Sequence, residues 1–259
     1  NIGSLVGKKE SKLQFSMRSD KGEELTYSFG PTTTKQIVNL TSTFEHQNSD
    51  SIFIPAKEVL SLHSLIEESR SDKFNSFGFD DTYYDLAKAL RPRQKGKNYK
   101  QFADARTKLN DAINGRIEYD ETQKEWVFYS KDTGVLPISL TSEGIKKVSI
   151  LDVLLGNQHL SKSSVIIIDE PESALHPTLV STFMDIVFSL AQCGIQFFIA
   201  SHSYFVIKKL YILAHQHKVR IPVISFDNGL IETTNLAERM PTNSILNESV
   251  RLYEEEIEL

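Results

Sequence analysis

The sequence predicts an α/β fold in which a parallel sheet is joined by an antiparallel β subdomain and a helical insertion. From residue 135 onward, apolar segments alternate with helical patterns, which is typical of a parallel sheet covered by helices on both faces. Before residue 57, apolar and polar residues alternate around turn residues, as in antiparallel hairpins. Between these regions, helical periodicity dominates, and it predicts an insertion.

The N-terminal region, 1–56, is predicted to be the β subdomain. A hairpin is expected over 13–29, a further strand over 37–44, and a short strand from Ser51 that stops at Pro55. The region 57–134 is expected to form a helical/β insertion lobe. Its predicted elements are helices over 57–69, 80–90 and 97–114, followed by a hairpin with strands over 116–120 and 125–130.

The region 135–259 is predicted to be the α/β core. Ser142 is a good N-cap for a helix that runs to about residue 156. The β-branched run Val165–Ile168 predicts a strand buried on both faces. The remaining predicted elements are helices over 177–192, 203–216 and from about 243, and strands over 195–200, 220–226 and 230–234.

Composition excludes several classes of protein. Of the 259 residues, 40% are hydrophobic and 24% are charged, which is ordinary for a globular chain and excludes disorder. The net charge of −5 argues against a strongly basic nucleic-acid clamp. The single cysteine, Cys193, excludes an internal disulfide and predicts a cytoplasmic protein. No apolar run is long enough for a membrane helix, and no signal peptide is recognisable.

Two carboxylates follow the run Val165–Ile168 at its C-terminal end. Open parallel sheets bind ligands at this edge, so Asp169 is a candidate to hold Mg²⁺ beside a nucleotide's phosphates. Glu170 is a candidate to polarise an attacking water. The structural alternative is an acid pair that caps the following helix, and the continuation through Pro171 and His176-Pro177 argues against it.

Two further segments add candidate phosphate contacts. The apolar run 197–200 is followed by Ser201-His202, so His202 is expected at the same sheet edge. There it can hydrogen-bond a terminal phosphate. The alternative is that His202 is an ordinary capping histidine. At the start of the helix after Ser142, free N–H groups suit an anion, and Gly144 would let that anion approach the backbone closely. Taken alone, this segment also fits a plain helix start.

These motifs together resemble the ABC-type ATPase superfamily. Ser142-Glu143-Gly144 resembles the signature motif, 165–170 resembles Walker B with its catalytic glutamate, and His202 resembles the switch histidine. The segment 173–176 is similar to the D-loop. The branch it resembles most comprises chromosome-maintenance and DNA-repair ATPases and small bacterial AAA-annotated ATPases related to overcoming-lysogenisation-defect and anti-phage defence proteins. The segments 54–58, 240–244 and 252–254 are also similar to that bacterial group.

The resemblance implies ATP and Mg²⁺ as cofactors and hydrolysis of ATP to ADP and phosphate. It implies a homodimer that sandwiches ATP head to tail. One subunit would give Asp169, Glu170 and His202, and the other would give Ser142 and Gly144. The expected partner is a nuclease or another effector that acts on nucleic acid, with no role for a membrane.

The sequence departs from the superfamily at the phosphate-binding loop. A Walker A motif, Gly-x-x-x-x-Gly-Lys-Ser/Thr, does not occur in the 259 residues, since neither Gly7-Lys8 nor Gly96-Lys97 fits it. Because the chain also begins at Asn1, we expect the loop to lie in a segment outside this sequence. Without that segment, apolar residues such as 165–168 would be exposed. The glutamine that usually lines such a site is not identifiable.

Two alternatives remain at this stage. A non-hydrolysing interaction module could have kept the ATPase-like fold and lost the Walker A loop. A nuclease within the same chain is disfavoured, because the glutamates at 254–256 and 258 form a terminal run typical of a solvated helix face. The cations of the segment 91–106, namely Arg91, Arg93, Lys95, Lys97, Lys100 and Arg106, fit either a solvated loop or a phosphate-contacting loop.

Overall fold

The architecture is that of a computed structural model, which describes residues 2–33, 37, 39–44, 51–69, 79–92, 99–227 and 229–259. The chain divides into two units, Asn1–Asn48 and Ser49–Leu259. The sequence instead places this boundary at residue 56.

The first unit is a three-stranded antiparallel sheet. Its strands are β1 (Leu13–Arg18), β2 (Glu24–Phe29) and β3 (Asn39–Ser42), in that spatial order. The predicted hairpin over 13–29 is confirmed, with Leu13 opposite Phe29. Cross-strand aromatic contacts hold its register, since Phe15 stacks on Tyr27 with ring centroids 5.0 Å apart. Much of the predicted strand over 37–44 is β3, although residue 38 lies outside the described residues.

The second unit contains the remaining helices and strands. In chain order these are β4 (Ser51–Ile54), α1 (His63–Glu68), α2 (Asp81–Leu90), α3 (Lys100–Ala112), β5 (Gly115–Asp120), β6 (Glu125–Ser130), β7 (Gly134–Pro137), α4 (Glu143–Gly156), β8 (Val165–Asp169), α5 (Pro177–Gln192), β9 (Gln196–Ala200), α6 (Tyr204–His217), β10 (Pro222–Asp227), β11 (Leu230–Asn235) and α7 (Ser244–Ile257).

A parallel sheet of order β4-β8-β9 confirms the predicted fold class. Ser51 pairs with Val165, so β4 belongs to this sheet and not to the antiparallel subdomain of the first unit. The reason is burial: Ile52 and Ile54 of β4 lie in the same buried cluster as Ile166 and Ile168 of β8. The boundary therefore falls before β4.

The expectation that this sheet is covered on both faces is wrong for the described residues. Ile166 and Ile168 are fully buried, but Ile167 is 38% exposed and Phe198 of β9 is 53% exposed. Alternate side chains of a strand point to opposite faces. The described helices therefore cover one face of β8 and β9 and leave the other face partly open.

The insertion lobe packs α3 against α4 and carries the antiparallel sheet β5-β6-β7. Its predicted hairpin is confirmed, and β7 adds a third strand that the sequence did not indicate. The predicted helix over 57–69 is shorter: a 3₁₀ turn over Leu60–Leu62 leads into α1. Helix α4 is buried on nearly all sides, so it forms the centre of the unit.

Strands β10 and β11 form a separate antiparallel ribbon. They do not extend the parallel sheet among the described residues. Ile224 and Phe226 lie two residues apart on one face of this ribbon and are 58% and 76% exposed. Within the described ranges, the structure contains no helix that is both long and apolar enough to span a bilayer.

Candidate functional site

The carboxylates predicted from the sequence lie at the C-terminal end of β8. Asp169 is the last residue of the strand and is paired in register with Ala200 of β9. The next N–H, that of Glu170, donates to the Ala200 carbonyl at 2.8 Å, so the two strand ends are tied together. Glu170 has φ of +45°, a left-handed conformation that costs a non-glycine residue of the order of 1–3 kcal/mol. Such backbone strain is common in loops that hold a side chain in place at an active site or a ligand-binding site.

His202 lies beside this carboxylate pair, as the sequence predicts. Its Nδ1 is 3.3 Å from Oε1 of Glu170 and 3.6 Å from Oε1 of Glu172. The imidazole is 71% exposed and the Glu170 side chain is 41% exposed, so both face solvent and can reach a ligand. The structure therefore brings together Asp169, Glu170 and His202 at one sheet edge.

Glu172 adds to this site a positioning contact that the sequence analysis did not assign to it. Its carboxylate accepts the Ser201 hydroxyl at 2.9 Å and the backbone N–H of His202 at 3.0 Å. The side chain is only 11% exposed. Glu172 thus fixes the start of the segment that carries His202. The signal was present in the sequence, because the loop after β8 has a third acid and the residue before His202 is a serine that can donate to it.

Lys147 supplies a buried positive charge beneath the same loop. It belongs to α4 and is 4% exposed. Its Nζ donates to the backbone carbonyls of Asp169 and Ala56, each at 3.4 Å, and to that of Glu170. Burial lowers the pKa of Lys147, while the charges of Glu172, Glu170 and Asp169 oppose that shift. The ammonium of Lys147 therefore partly compensates the negative charge of the three carboxylates in this loop.

The negative charge at this sheet edge affects the pKa of Tyr83 in α2. Burial, followed by the negative charges of Asp80 and Asp169, raises the pKa of the Tyr83 phenol. No local sequence pattern indicates this neighbour, because α2 and β8 are far apart in the chain.

Ser142 and Gly144 begin α4, and their immediate contacts are structural. The Ser142 hydroxyl accepts the N–H of Ile145 at 3.3 Å, which confirms the predicted N-cap. A Cβ at Gly144 would stand 2.8 Å from the carbonyl oxygen of Ala174. Glycine is thus needed for close packing against the loop after β8. The anion-binding role of Ser142 and Gly144 stays a prediction.

The predicted cationic segment is only partly described, since residues 93–98 lie outside the described residues. Arg91 forms an ion pair with Glu67. Arg106 Nε donates at 2.8 Å to Asp152, a fully buried residue of α4. Both arginines are therefore paired with carboxylates of the protein, Arg91 at the surface and Arg106 with a buried partner.

The described side chains fit a magnesium ion held with few protein ligands. Among the described residues, no three His, Cys, Asp or Glu side chains converge as a metal site. Mg²⁺ commonly binds through one or two carboxylates and completes its shell with water and phosphate oxygens. Asp169, at the end of β8 beside the solvent-facing Glu170, fits that kind of binding.

Comparison with known proteins places the chain in a family. Residues 8–208 match the family described as "AAA domain, putative AbiEii toxin, Type IV TA system", so the chain belongs to this family of AAA domains. The match confirms the resemblance drawn from the motifs. Among curated proteins, none matches the chain.

Several solved structures are similar in fold. One is described as "SMC head domain from Thermotoga maritima", with 10% identity, 86% of this chain and 73% of that chain covered, and a TM-score of 0.41. Another is described as "Crystal structure of the SmcHead bound to the C-winged helix domain of ScpA", with 12% identity, 89% and 77% covered, and a TM-score of 0.48.

Proposed function

We propose that the chain is the catalytic part of an ATPase that hydrolyses ATP to ADP and phosphate. The observation that supports this most directly is the contact between His202 and Glu170 at the carboxyl edge of a parallel sheet, directly after Asp169. The edge lies where nucleotide-binding α/β proteins hold their ligand. Membership in a family of AAA domains agrees with this use of the edge.

Each residue has a distinct role in this proposal. Asp169 holds Mg²⁺, which when bound neutralises charge on the phosphates. Glu170 accepts a proton from the attacking water, because its carboxylate is solvent-facing and held by a constrained backbone. His202 donates a hydrogen bond to a terminal phosphate oxygen. Glu172 positions His202 through its backbone N–H.

The phosphate-binding loop, in this proposal, is supplied by a strand that pairs with the open edge of β9. The support is the uncovered apolar surface next to that edge, where Phe198 and Ile167 are partly exposed. Phe205, at the start of α6, is 54% exposed as well. We expect the 259-residue chain alone to show no ATP-Mg²⁺ binding in the micromolar range, since phosphates would meet three carboxylates without a cradle of N–H groups. Isothermal titration measures this, and micromolar binding would contradict it.

The proposal extends to ATP-driven dimerisation. Ser142 and Gly144 of one subunit would contact the phosphates bound at Asp169 and His202 of the other, and closure would regulate a nuclease or other effector that acts on nucleic acid. A cytoplasmic location is part of the same proposal. Light scattering of a hydrolysis-deficient protein with and without ATP tests dimerisation, and an unchanged monomeric mass in both conditions would refute it.

A second candidate function is an interaction module that does not hydrolyse ATP. The observation in its favour is the cluster of three acids, Asp169, Glu170 and Glu172, without a phosphate loop in the sequence. In that case, supplying a strand with a phosphate-binding loop would not create ATP binding.

Hydrolysis is tested by Glu170→Gln in a protein that carries the phosphate-binding segment. The variant keeps the size of the side chain but cannot take the proton. We expect ATP binding to persist and turnover to fall by ~10²-fold or more, the contribution of a positioned base. Glu121→Gln, the same change in the exposed turn between β5 and β6, is the matched control. Unchanged turnover in Glu170→Gln would refute the assignment.

A further inference from the structure

Helix α7 has an apolar stripe that nothing in the described residues covers. It contains no buried residue, and Val250, Tyr253 and Ile257 are 54%, 61% and 67% exposed. Single exposed apolar residues are common on protein surfaces. A stripe of them along one face of a helix is uncommon, because it leaves the amphipathic pattern without the packing that normally stabilises it.

The first turn of α7 is firmly attached to the body of the unit. Asn243 caps the helix by accepting the N–H of Leu246 at 3.1 Å and donates to Ser225 of β10 at 3.2 Å. The N–H of Ser244 donates to Asp227 at 2.9 Å. Leu246 packs against the small apolar cluster beneath α6. From Asn247 onward, every residue of the helix is exposed except the half-buried Ser249.

The spacing of the stripe is that of a coiled-coil seam. Leu246, Val250, Tyr253 and Ile257 follow one another at intervals of four, three and four residues. This is the d-a-d-a order of a heptad repeat, with β-branched residues at both a positions, a choice that favours two-stranded packing. We call these four residues the α7 seam; Leu246 is half-buried against the body of the unit, and the other three are exposed.

The charges around the α7 seam decide what kind of helix can pair with it. Residues 244–259 contain five glutamates and one arginine, a net charge of −4. Arg251 lies away from the seam and pairs with Glu248 and Glu255. Glu254 and Glu256 take the e and g positions that flank the seam, and no described cation pairs with them. A second copy of this helix would bring like charges together, whereas a basic helix would complement them.

We propose that the α7 seam is a docking surface for an amphipathic helix of a partner protein, with an apolar seam of its own and Lys or Arg at the flanking positions. Pairing buries Val250, Tyr253 and Ile257 and places the partner's cations against Glu254 and Glu256. The proposal does not depend on ATP hydrolysis, because the seam lies on α7 and the carboxylate site lies at the end of β8.

The test uses two synthetic 21-residue helices that share a leucine and isoleucine seam and differ only in having Lys or Glu at all e and g positions. Neither peptide pairs well with itself, since its flanking charges repel. Fluorescence anisotropy of each labelled peptide is followed as the 259-residue protein is added at low salt. We expect the Lys peptide to bind at least about tenfold more tightly than the Glu peptide. A scrambled Lys peptide without a seam corrects for general attraction to an acidic protein.

Protein variants locate the contact. Val250→Asp and Ile257→Asp are expected to weaken binding of the Lys peptide at least about tenfold, as loss of a buried apolar side chain does. Leu252→Asp is the matched control: Leu252 is 53% exposed on the same helix but outside the seam. Exchanging Glu254 and Glu256 for Lys is expected to reverse the preference between the peptides. Because no residue of α7 is buried, these variants are expected to fold, which circular dichroism checks.

Several results would overturn the proposal. They are failure to bind the Lys peptide, equal binding of the Glu or scrambled peptide, or equal losses in Leu252→Asp and Val250→Asp. A dimer in light scattering that Val250→Asp abolishes would identify a second copy as the occupant, against the proposal. Each of these outcomes leaves the ATPase proposal untouched, because none involves nucleotide.

Discussion

Replacing Arg106 by methionine removes the only described partner of a buried charge. Asp152 is 0% exposed in α4, and Arg106 of α3 binds it at 2.8 Å and 3.4 Å. Burial raises the pKa of Asp152, and the hydrogen bond and charge of Arg106 oppose that shift. In Arg106→Met, the carboxyl group must either remain charged without a partner or take up a proton.

The cost of protonation sets an upper limit on the loss. With an ordinary pKa of 3.8 in the unfolded chain, protonating Asp152 at pH 7 costs about 4 kcal/mol, at 1.36 kcal/mol per unit. This agrees with the ~3–5 kcal/mol typical of a broken buried pair. At pH 5 the same limit is about 2 kcal/mol. In the variant, the pKa of Asp152 is higher in the folded protein than in the unfolded chain. The free energy of unfolding therefore falls as the pH rises from the unfolded pKa to the folded pKa, and the variant should regain stability when the pH is lowered.

Urea unfolding followed by the fluorescence of Trp126 measures this, because the protein has one tryptophan and it lies in the second unit. Lys131→Met is the control: it breaks the exposed pair of Lys131 with Asp111 and should cost less than about 1 kcal/mol. Adding Asp152→Leu to Arg106→Met should restore most of the stability. A loss in Arg106→Met no larger than that of the control at pH 7, or one that does not shrink by pH 5, would contradict this account of the pair.

Two further predictions concern the loop after β8. Lys147→Met removes the ammonium that donates to three backbone carbonyls. Hydrogen–deuterium exchange of the amides over 169–176, measured by mass spectrometry, should therefore become at least about tenfold faster. Lys146 is the control: its ammonium binds Glu143, so Lys146→Met should leave that exchange unchanged. Glu172→Gln weakens the hold on the His202 N–H, so in the ATP-binding protein kcat should fall roughly tenfold with KM little changed. A change in KM alone would show that Glu172 affects binding and not the position of His202.

The sequence predicted local structure well where the pattern was strong. Helix α5 begins at Pro177 as expected, and Ser142 caps α4. The carboxylates and His202 were expected at one sheet edge because parallel strands share their carboxyl ends, and the structure places them there. These features depend on periodicity and on caps, which lie within a few residues of one another.

Other features depend on contacts between distant segments, which no local pattern reveals. β4 is a short apolar strand near a proline, and only its pairing with β8 assigns it to the parallel sheet. Lys147 looks like a solvent-facing helix residue, yet burial of α4 on nearly all sides turns it toward the strand ends. Ile167 looks like a core residue, yet it is partly exposed because the described elements cover one face of its strand.

The pairing of β4 with β8 also has a consequence for synthesis of the protein. Residues Ser51 and Val165 are partners in the register, so β4 emerges from the ribosome more than a hundred residues before its neighbour. At about 5–20 residues per second, the wait lasts of the order of ten seconds, during which Ile52 and Ile54 have no partner strand. The insertion lobe, whose hairpin and helices close locally, can form within that interval. We therefore expect the lobe to form before β4, the strand that precedes it, pairs with β8.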